Sequence, residues 1–503
     1  MQAARLWTAL SPLLFGIGVL LDHAFGSKNL LNILGRLGLS VSYDEVNRYK
    51  QSAVQCDTEE LPSLFPSCFT RWSADNMDHN IVTLDGMNTF HGMGMSISSQ
   101  IRHDVDGSFP ETVVTRLKRL NVSEVVKNKG IPLLSYNLPE KSALSALKFK
   151  PLGSLQFTSA SPFAVIHDLV WHAVWFACDS DNPRPNWSGY MQQVTFPPDV
   201  EYVPSADIHM LPVIDLNPSN LSCIYSTLVF LEQQAERLNM KTACVTFDQP
   251  LWLKAVNITL SERMNVVCRL GGFHIIMSYL GAVGKIMEGS GLSDALQTCY
   301  GSTAVSHMMT GKAESKAVRG HILADAALHI LLLKVIHDTY LSKNEMDQLK
   351  DLYNSMLQNS FVPAEDEALM PECVQKLHDS LMDCKAKLGE QSRTAVLWLK
   401  YLDYVQILQD FIRADRTSDW FLHLSTLKKM LNIFAAAGHR NYAKSARLYL
   451  QLMHELPETH SWLYEQLAHG FHAIRRTDRY WAGLPTDLII EQTMMRTASH
   501  VVD

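Results

Sequence analysis

Near residue 290 the chain changes period, and that change limits what it can fold into. From about 65 to 285, short apolar runs of strand length alternate with helical repeats. From about 290 to 470 the pattern is almost wholly helical, as in "LADAALHILLLKVIHDTYL", "RTAVLWLKYLDYVQILQDFI" and "SDWFLHLSTLKKMLNIFAAAG". The last 30 residues switch back. "FHAIRR" reads as a short strand, "TDRYWAGLP" as a loop, and "TDLIIEQTMMRTAS" as a helix capped by Thr486. An α/β part therefore begins, is interrupted by a large all-helical insertion, and resumes. The division expected is 1–55 as an N-terminal region of short helices, 56–289 as the first part of the α/β core, 290–470 as the helical insertion, and 471–503 as the end of the core.

Within the α/β part the order of elements is readable. "SCFTRWSAD" reads as a strand ending at Asp75, and "TLDGMNTFHGMGMSIS" as an Asp-Gly turn followed by a second strand. "DIHMLPVIDL" reads as a third strand. "SCIYSTLVFLEQQAERLNM" places Ile224, Leu228, Leu231, Ala235 and Leu238 on one helical face. "KTACVTFD" reads as a buried strand ending at Asp248. "PLWLKAVNITLSERM" follows as a helix, "NVVCRLGG" as a strand and "FHIIMSYLGAVGKIM" as a helix.

The 503 residues are 47% hydrophobic and 19% charged, enough for a sizeable core. The net charge of −7 excludes a global basic field, so any nucleic-acid surface has to be local. The nine cysteines are odd in number and form no C-x-x-C, which reads as reduced, intracellular thiols and a nuclear or cytoplasmic setting. The N-terminal "RLWTALSPLLFGIGVLLDHAFGS" is read as a buried helical region. A signal peptide, and with it a secreted α/β protein, is the alternative. No membrane is expected, since the run falls short of the roughly 20 apolar residues a bilayer requires.

The candidate chemistry lies in acids at element ends. "ADNMDHN", Ala74 to Asn80, crowds two aspartates, a histidine and two asparagines into seven residues. It reads either as a polar turn or as a turn that presents Asp75 at a strand end, with Asp78 and His79 in the turn itself. His91, on the next strand, reads as a core histidine. Asp248 ends an apolar strand and is followed by Gln-Pro. Glu491 shares one face of the last helix with Asp487, four residues earlier, and Asp487 also reads as a partner of the helix dipole. Two strand-end aspartates and a glutamate from a packed helix can hold two Mg²⁺ or Mn²⁺ ions about 4 Å apart, the arrangement that clamps both oxygens of an in-line phosphoryl displacement. Arg475, Arg476, Arg479, Lys444 and Arg447 read either as a local phosphate-binding surface or as a solvated charged face.

The stretches "SADNMDHN", "VTFDQPLWLK", "CRLGGFHIIMSYLG" and "RYWAGLPTDLIIEQTMMR", in this order and separated by the helical block, resemble DDE-type transposases of eukaryotic DNA transposons. The likeness covers about residues 65–500. It implies a ribonuclease H-like mixed-sheet core interrupted by a large all-helical insertion, with Asp75, Asp248 and Glu491 as metal-binding catalytic acids. It also implies that His274 matches a histidine following the strand after the second acid, although the position three residues before it is Gly271 and the nearest cysteine is Cys268. The expected activity is Mg²⁺- or Mn²⁺-dependent cleavage and strand transfer of double-stranded transposon-end DNA, by a homodimer. A catalytically inactive, domesticated scaffold that binds DNA or protein is the alternative.

Overall fold

The computed structural model describes residues 11–25, 27–56, 69–80, 89–100, 131–140, 142–157, 163–177, 186–195, 205–358, 371–477 and 479–492. The Asp-Gly turn expected at Asp85 lies outside them. The chain is a mixed α/β protein and divides into two compact units. The first comprises residues 1–147, 206–269 and 486–503, and the second residues 148–205 and 270–485.

The first unit holds a five-stranded mixed sheet. Its strands are β1 (Thr70–Asn80), β2 (Thr89–Gln100), β3 (Ala206–Met210), β4 (Ala243–Phe247) and β5 (Val266–Leu270), in the order β3-β2-β1-β4-β5. β1 and β2 form an antiparallel ladder of eleven pairs, from Thr70↔Ser99 to Asn80↔Thr89. β2 continues antiparallel to β3, and β1 runs parallel to β4 through Trp72↔Val245 and Ser73↔Thr246. Every residue of β4 and β5 is buried. A strand covered on both faces reads as a continuous apolar run rather than an alternation, which is why "ACVTF" and "VVCRL" stood out as strands.

Helices Leu221–Arg237 and Gln249–Glu262 flank β4 along the chain. Each starts on a side-chain cap. Asn220 accepts from the Ser222 amide at 2.9 Å, and Asp248 accepts from the Leu251 amide at 3.0 Å. Trp252 Nε1 donates to the Cys268 carbonyl at 3.0 Å, tying the second helix to β5.

Two sequence expectations differ from the structure. "ADNMDHN" is not a turn but the second half of β1, and Asp75 lies inside the strand, opposite Gly94. Asp and Asn favour turns in isolation. The ladder to β2 satisfies the backbone through Asn80, and strand propensity yields to such tertiary pairing. His91 is corrected as well, because it is exposed rather than in the core.

The second unit is built mainly of helices. The sequence division began the helical block at 290, whereas this compact unit also takes in 148–205 and 270–289. The helix Phe163–Ala177 explains part of the difference. "FAVIHDLVWHAVWFA" is apolar almost all round, and a helix with no polar face has to be enclosed. It packs against helices Glu314–Thr339 and Lys343–Leu357 in the main core, with Val170, Trp171, Leu333, Ile336 and Leu349 buried together. The long helix Glu314–Thr339 includes a stretch long and apolar enough to cross a membrane, but His321, Asp325 and His329 along it are buried inside this unit.

Two features of this unit make sharp predictions. Helix Gly272–Ile286 passes so close to helix Ser302–Met309 that a Cβ at Gly284 would sit 2.0 Å from the Met309 carbonyl oxygen. Gly284→Ala should therefore destabilise the chain by about 1–3 kcal/mol through overpacking. A urea midpoint equal to the wild type's would show that the two backbones are not so close.

His321 is the second feature. Burial pushes its imidazole down from 6.5 to about 4, and its Nδ1 lies 2.9 Å from the Tyr401 hydroxyl. A histidine whose folded value is depressed contributes stability that is complete above the unfolded value. That stability is lost as pH falls from 6.5 towards 4. Between pH 7 and pH 5 the loss from His321 is about 2 kcal/mol. His321→Gln should reduce the pH slope of urea stability over that interval by that amount. An unchanged slope would contradict the assignment of a neutral, buried imidazole.

Candidate metal centre

The register of the sheet places the acids. The last bridged pair between the parallel strands β1 and β4 is Ser73↔Thr246. Asp75 lies two residues further along β1, on the same face as Ser73, and Asp248 follows directly after β4 as the cap of the next helix. Thr486, at the start of the helix over 486–492, donates its hydroxyl to Thr246 Oγ1 at 2.7 Å, with both side chains buried. This bond docks the last helix beside β4.

Asp75 is 5% exposed, and its Oδ1 accepts from the Asn76 amide at 2.7 Å. Glu491 comes from the docked helix and is partly exposed. Its carboxylate oxygen and that of Asp75 lie within 4.8 Å of each other. Two carboxylates this close repel, and a shared proton or a bound cation relieves that repulsion. Oxygen donors of this kind suit Mg²⁺ or Mn²⁺ rather than a softer ion. The pair thus fits the metal ions expected from the sequence.

Asp248 is partly exposed and has a second task. Its Oδ1 caps the helix Gln249–Glu262. The awkwardness of a carboxylate at the end of an apolar strand therefore has a structural account independent of any metal. Asp487 is buried one turn before Glu491. His274 is the third residue of helix Gly272–Ile286 in the second unit, partly exposed, with its ring edge-on to Phe273 at 5.3 Å.

The basic residues separate into two groups. Arg476, Arg479 and Lys444 are exposed. Arg475 is 1% exposed, donates from Nη2 to the Thr417 carbonyl at 3.0 Å, and lies over the Tyr480 ring at 5.1 Å. Its guanidinium serves the interior and is withdrawn from the surface proposed for phosphate. Arg447 is partly buried over Phe149 and donates to the Lys150 carbonyl, so it holds a neighbouring segment of its own unit.

Sequence reasoning missed two buried clusters in the second unit, His172–Asp325–His329 and Asp415–His423–His472, each offering ligand atoms within 4.8 Å of one another. The i, i+4 spacing of Asp325 and His329 on an apolar helix was a readable signal. Nothing near His172 or His472 pointed to either cluster.

A family model described as a domain of unknown function (DUF8702) matches residues 186–501, more than half of the chain. No curated protein and no solved structure matches it.

Proposed function

We propose that this chain, which belongs to the DUF8702 family, descends from DDE-type DNA transposases and cleaves DNA phosphodiester bonds with divalent metal at Asp75, Asp248 and Glu491. One observation carries the reading. On a sheet ordered β3-β2-β1-β4-β5, with β1 antiparallel to β2 and parallel to β4, Asp75 lies within β1 and Asp248 directly follows β4. The glutamate of a later helix then reaches the first of them. That strand order and pairing support a ribonuclease H-like core, with one acid inside the first strand and a second just after its parallel neighbour.

In this reading Asp75 and Glu491 hold one face of the site, and Asp248 supplies a carboxylate from the neighbouring strand. Bound cations would polarise the scissile phosphate and lower the pKa of the attacking water. The Asn76 amide fixes the orientation of Asp75 through its 2.7 Å bond to Oδ1. The Thr486–Thr246 bond fixes the base of the helix that carries Glu491. The exposed Arg476, Arg479 and Lys444 are proposed phosphate contacts of the helical unit, and a DNA substrate implies a nuclear setting.

The test is nicking of supercoiled plasmid with Mg²⁺ or Mn²⁺ by the full chain. Cleavage that requires metal and depends on Asp75 and Glu491 supports the reading. Retention of DNA binding without cleavage would convert it to the inactive scaffold, and the absence of both would sink it.

A further inference from the structure

We infer that Asp415, His423 and His472 form a structural zinc site inside the helical unit, separate from the acidic pair on the sheet. Asp415 lies in the last turn of helix Arg393–Thr417, His423 in the first turn of helix Trp420–Ala436, and His472 just after the π-helical turn Leu467–Phe471. Three chain segments meet at one carboxylate. His423 Nδ1 is 3.1 Å from Asp415 Oδ1, and His472 Nε2 is 3.9 Å from the same oxygen. Donors around a tetrahedral ion with bonds of about 2.0–2.2 Å lie roughly 3.3 Å apart. The cluster is already close to that size.

The second observation is the polar atom left over. Asp415 is 4% exposed and His423 1% exposed, yet Asp415 Oδ2 has no hydrogen-bond partner. A buried carboxylate that uses one oxygen for a single imidazole is poorly compensated. Arg416, partly exposed, attracts it only at longer range. The surroundings of the pair are closely packed. Phe411 and Trp420 lie against the His423 ring at 4.6 and 5.7 Å, and a Cβ at Gly272 would come within 3.3 Å of Asp415 Oδ2.

A divalent cation answers this arrangement. Asp415, chelating through its oxygens, and one nitrogen from each histidine supply three protein ligands of the kinds zinc takes. Two imidazoles disfavour Mg²⁺ and Ca²⁺, and the lack of exposure disfavours an open catalytic iron. The other cluster differs in this respect. Asp325 uses both oxygens, Oδ2 with His172 Nε2 at 2.8 Å and Oδ1 with His329 Nδ1 at 3.3 Å. It is a satisfied polar knot and calls for no ion.

The experiment measures zinc by mass spectrometry in the full, untagged chain. The expected content is about one ion per chain, unchanged in Asp75→Asn/Glu491→Gln and in His172→Gln/His329→Gln, and lost in His423→Gln/His472→Gln. Chelation of the wild type should lower Tm by about 5–10 °C, reversed by added Zn²⁺. If the His423/His472 variant does not fold, zinc-edge X-ray absorption of the wild type decides, with two imidazole nitrogens expected. A folded wild type without zinc overturns the site. So does zinc that follows His172 and His329, or an absorption spectrum with fewer than two imidazoles.

Discussion

On the proposed function, Asp75→Asn should lower metal-dependent nicking of supercoiled DNA by about 10³-fold, because losing one carboxylate of a metal clamp would remove several kcal/mol of transition-state stabilisation. The substitution is nearly isosteric, and the amide oxygen can still accept from the Asn76 amide, so the strand is preserved. What changes is the charge beside Glu491, within 4.8 Å. Glu491→Gln should give a loss of similar size. Asp248→Asn separates the two roles of that residue. Asn caps a helix as well as Asp does, so the Leu251 cap and the thermal stability should survive while cleavage falls. Nicking within about twofold of wild type in Asp248→Asn would leave the residue a cap and nothing more. Asp487→Asn is the control on the same helix and should leave cleavage much less affected than Glu491→Gln.

How far the sequence alone reached depended on whether a signal was local. The strands "ACVTF" and "VVCRL" were legible because burial on both faces makes them nearly continuous apolar runs, broken by Thr246 and Arg269 alone. Glu491 lies deeper in the last helix than Asp487, after the apolar "LII", and its carboxylate lies within 4.8 Å of that of Asp75. The turn reading of "ADNMDHN" failed because a turn preference is local, whereas the partner that held Asp75 in a strand was "HGMGMS" across the ladder. The helix Phe163–Ala177 was invisible as part of the helical unit because its partners begin about 140 residues later. Arg475 looked like a surface cation because its acceptor, the Thr417 carbonyl, is 58 residues away. The Asp415 cluster was unreadable for the same reason. Its three members share no period, and His472 joins them only through the fold.

The largest stability effect expected is at Arg413. This buried guanidinium donates to Asp168 Oδ1 at 2.7 Å and to Asp410 Oδ1 at 3.0 Å. Asp168 also accepts from Trp187 Nε1 at 2.9 Å and from Gln406 at 3.0 Å. Burial alone would raise the Asp168 carboxyl. Arg413, Trp187 and Gln406 outweigh it and hold the group below the usual carboxylate value. Arg413→Met therefore leaves a buried charge without its counter-ion and should cost about 3–5 kcal/mol at pH 7 by urea unfolding. The pH dependence gives an independent check. In the wild type the Asp168 contribution is complete above the unfolded value of 3.8 and is lost as pH falls through the lower folded value. In the variant, burial is less opposed, the carboxyl value rises, and protonation relieves the penalty at higher pH. His167 moves the same way, since burial first and Arg413 second push it down to about 4. The gap between variant and wild type should therefore narrow on acidification from pH 7 to 5. A double variant, Arg413→Met with Asp168→Leu, removes the Asp168 charge with its counter-ion and should recover part of the loss, since Asp410 keeps Lys429 at 3.6 Å and Gln406 at 3.0 Å while Trp187 Nε1 loses its acceptor. An Arg413→Met cost below about 1 kcal/mol would mean that water reaches the network and screens Asp168. A gap that widened on acidification would mean that Asp168 is not the group left exposed to the penalty.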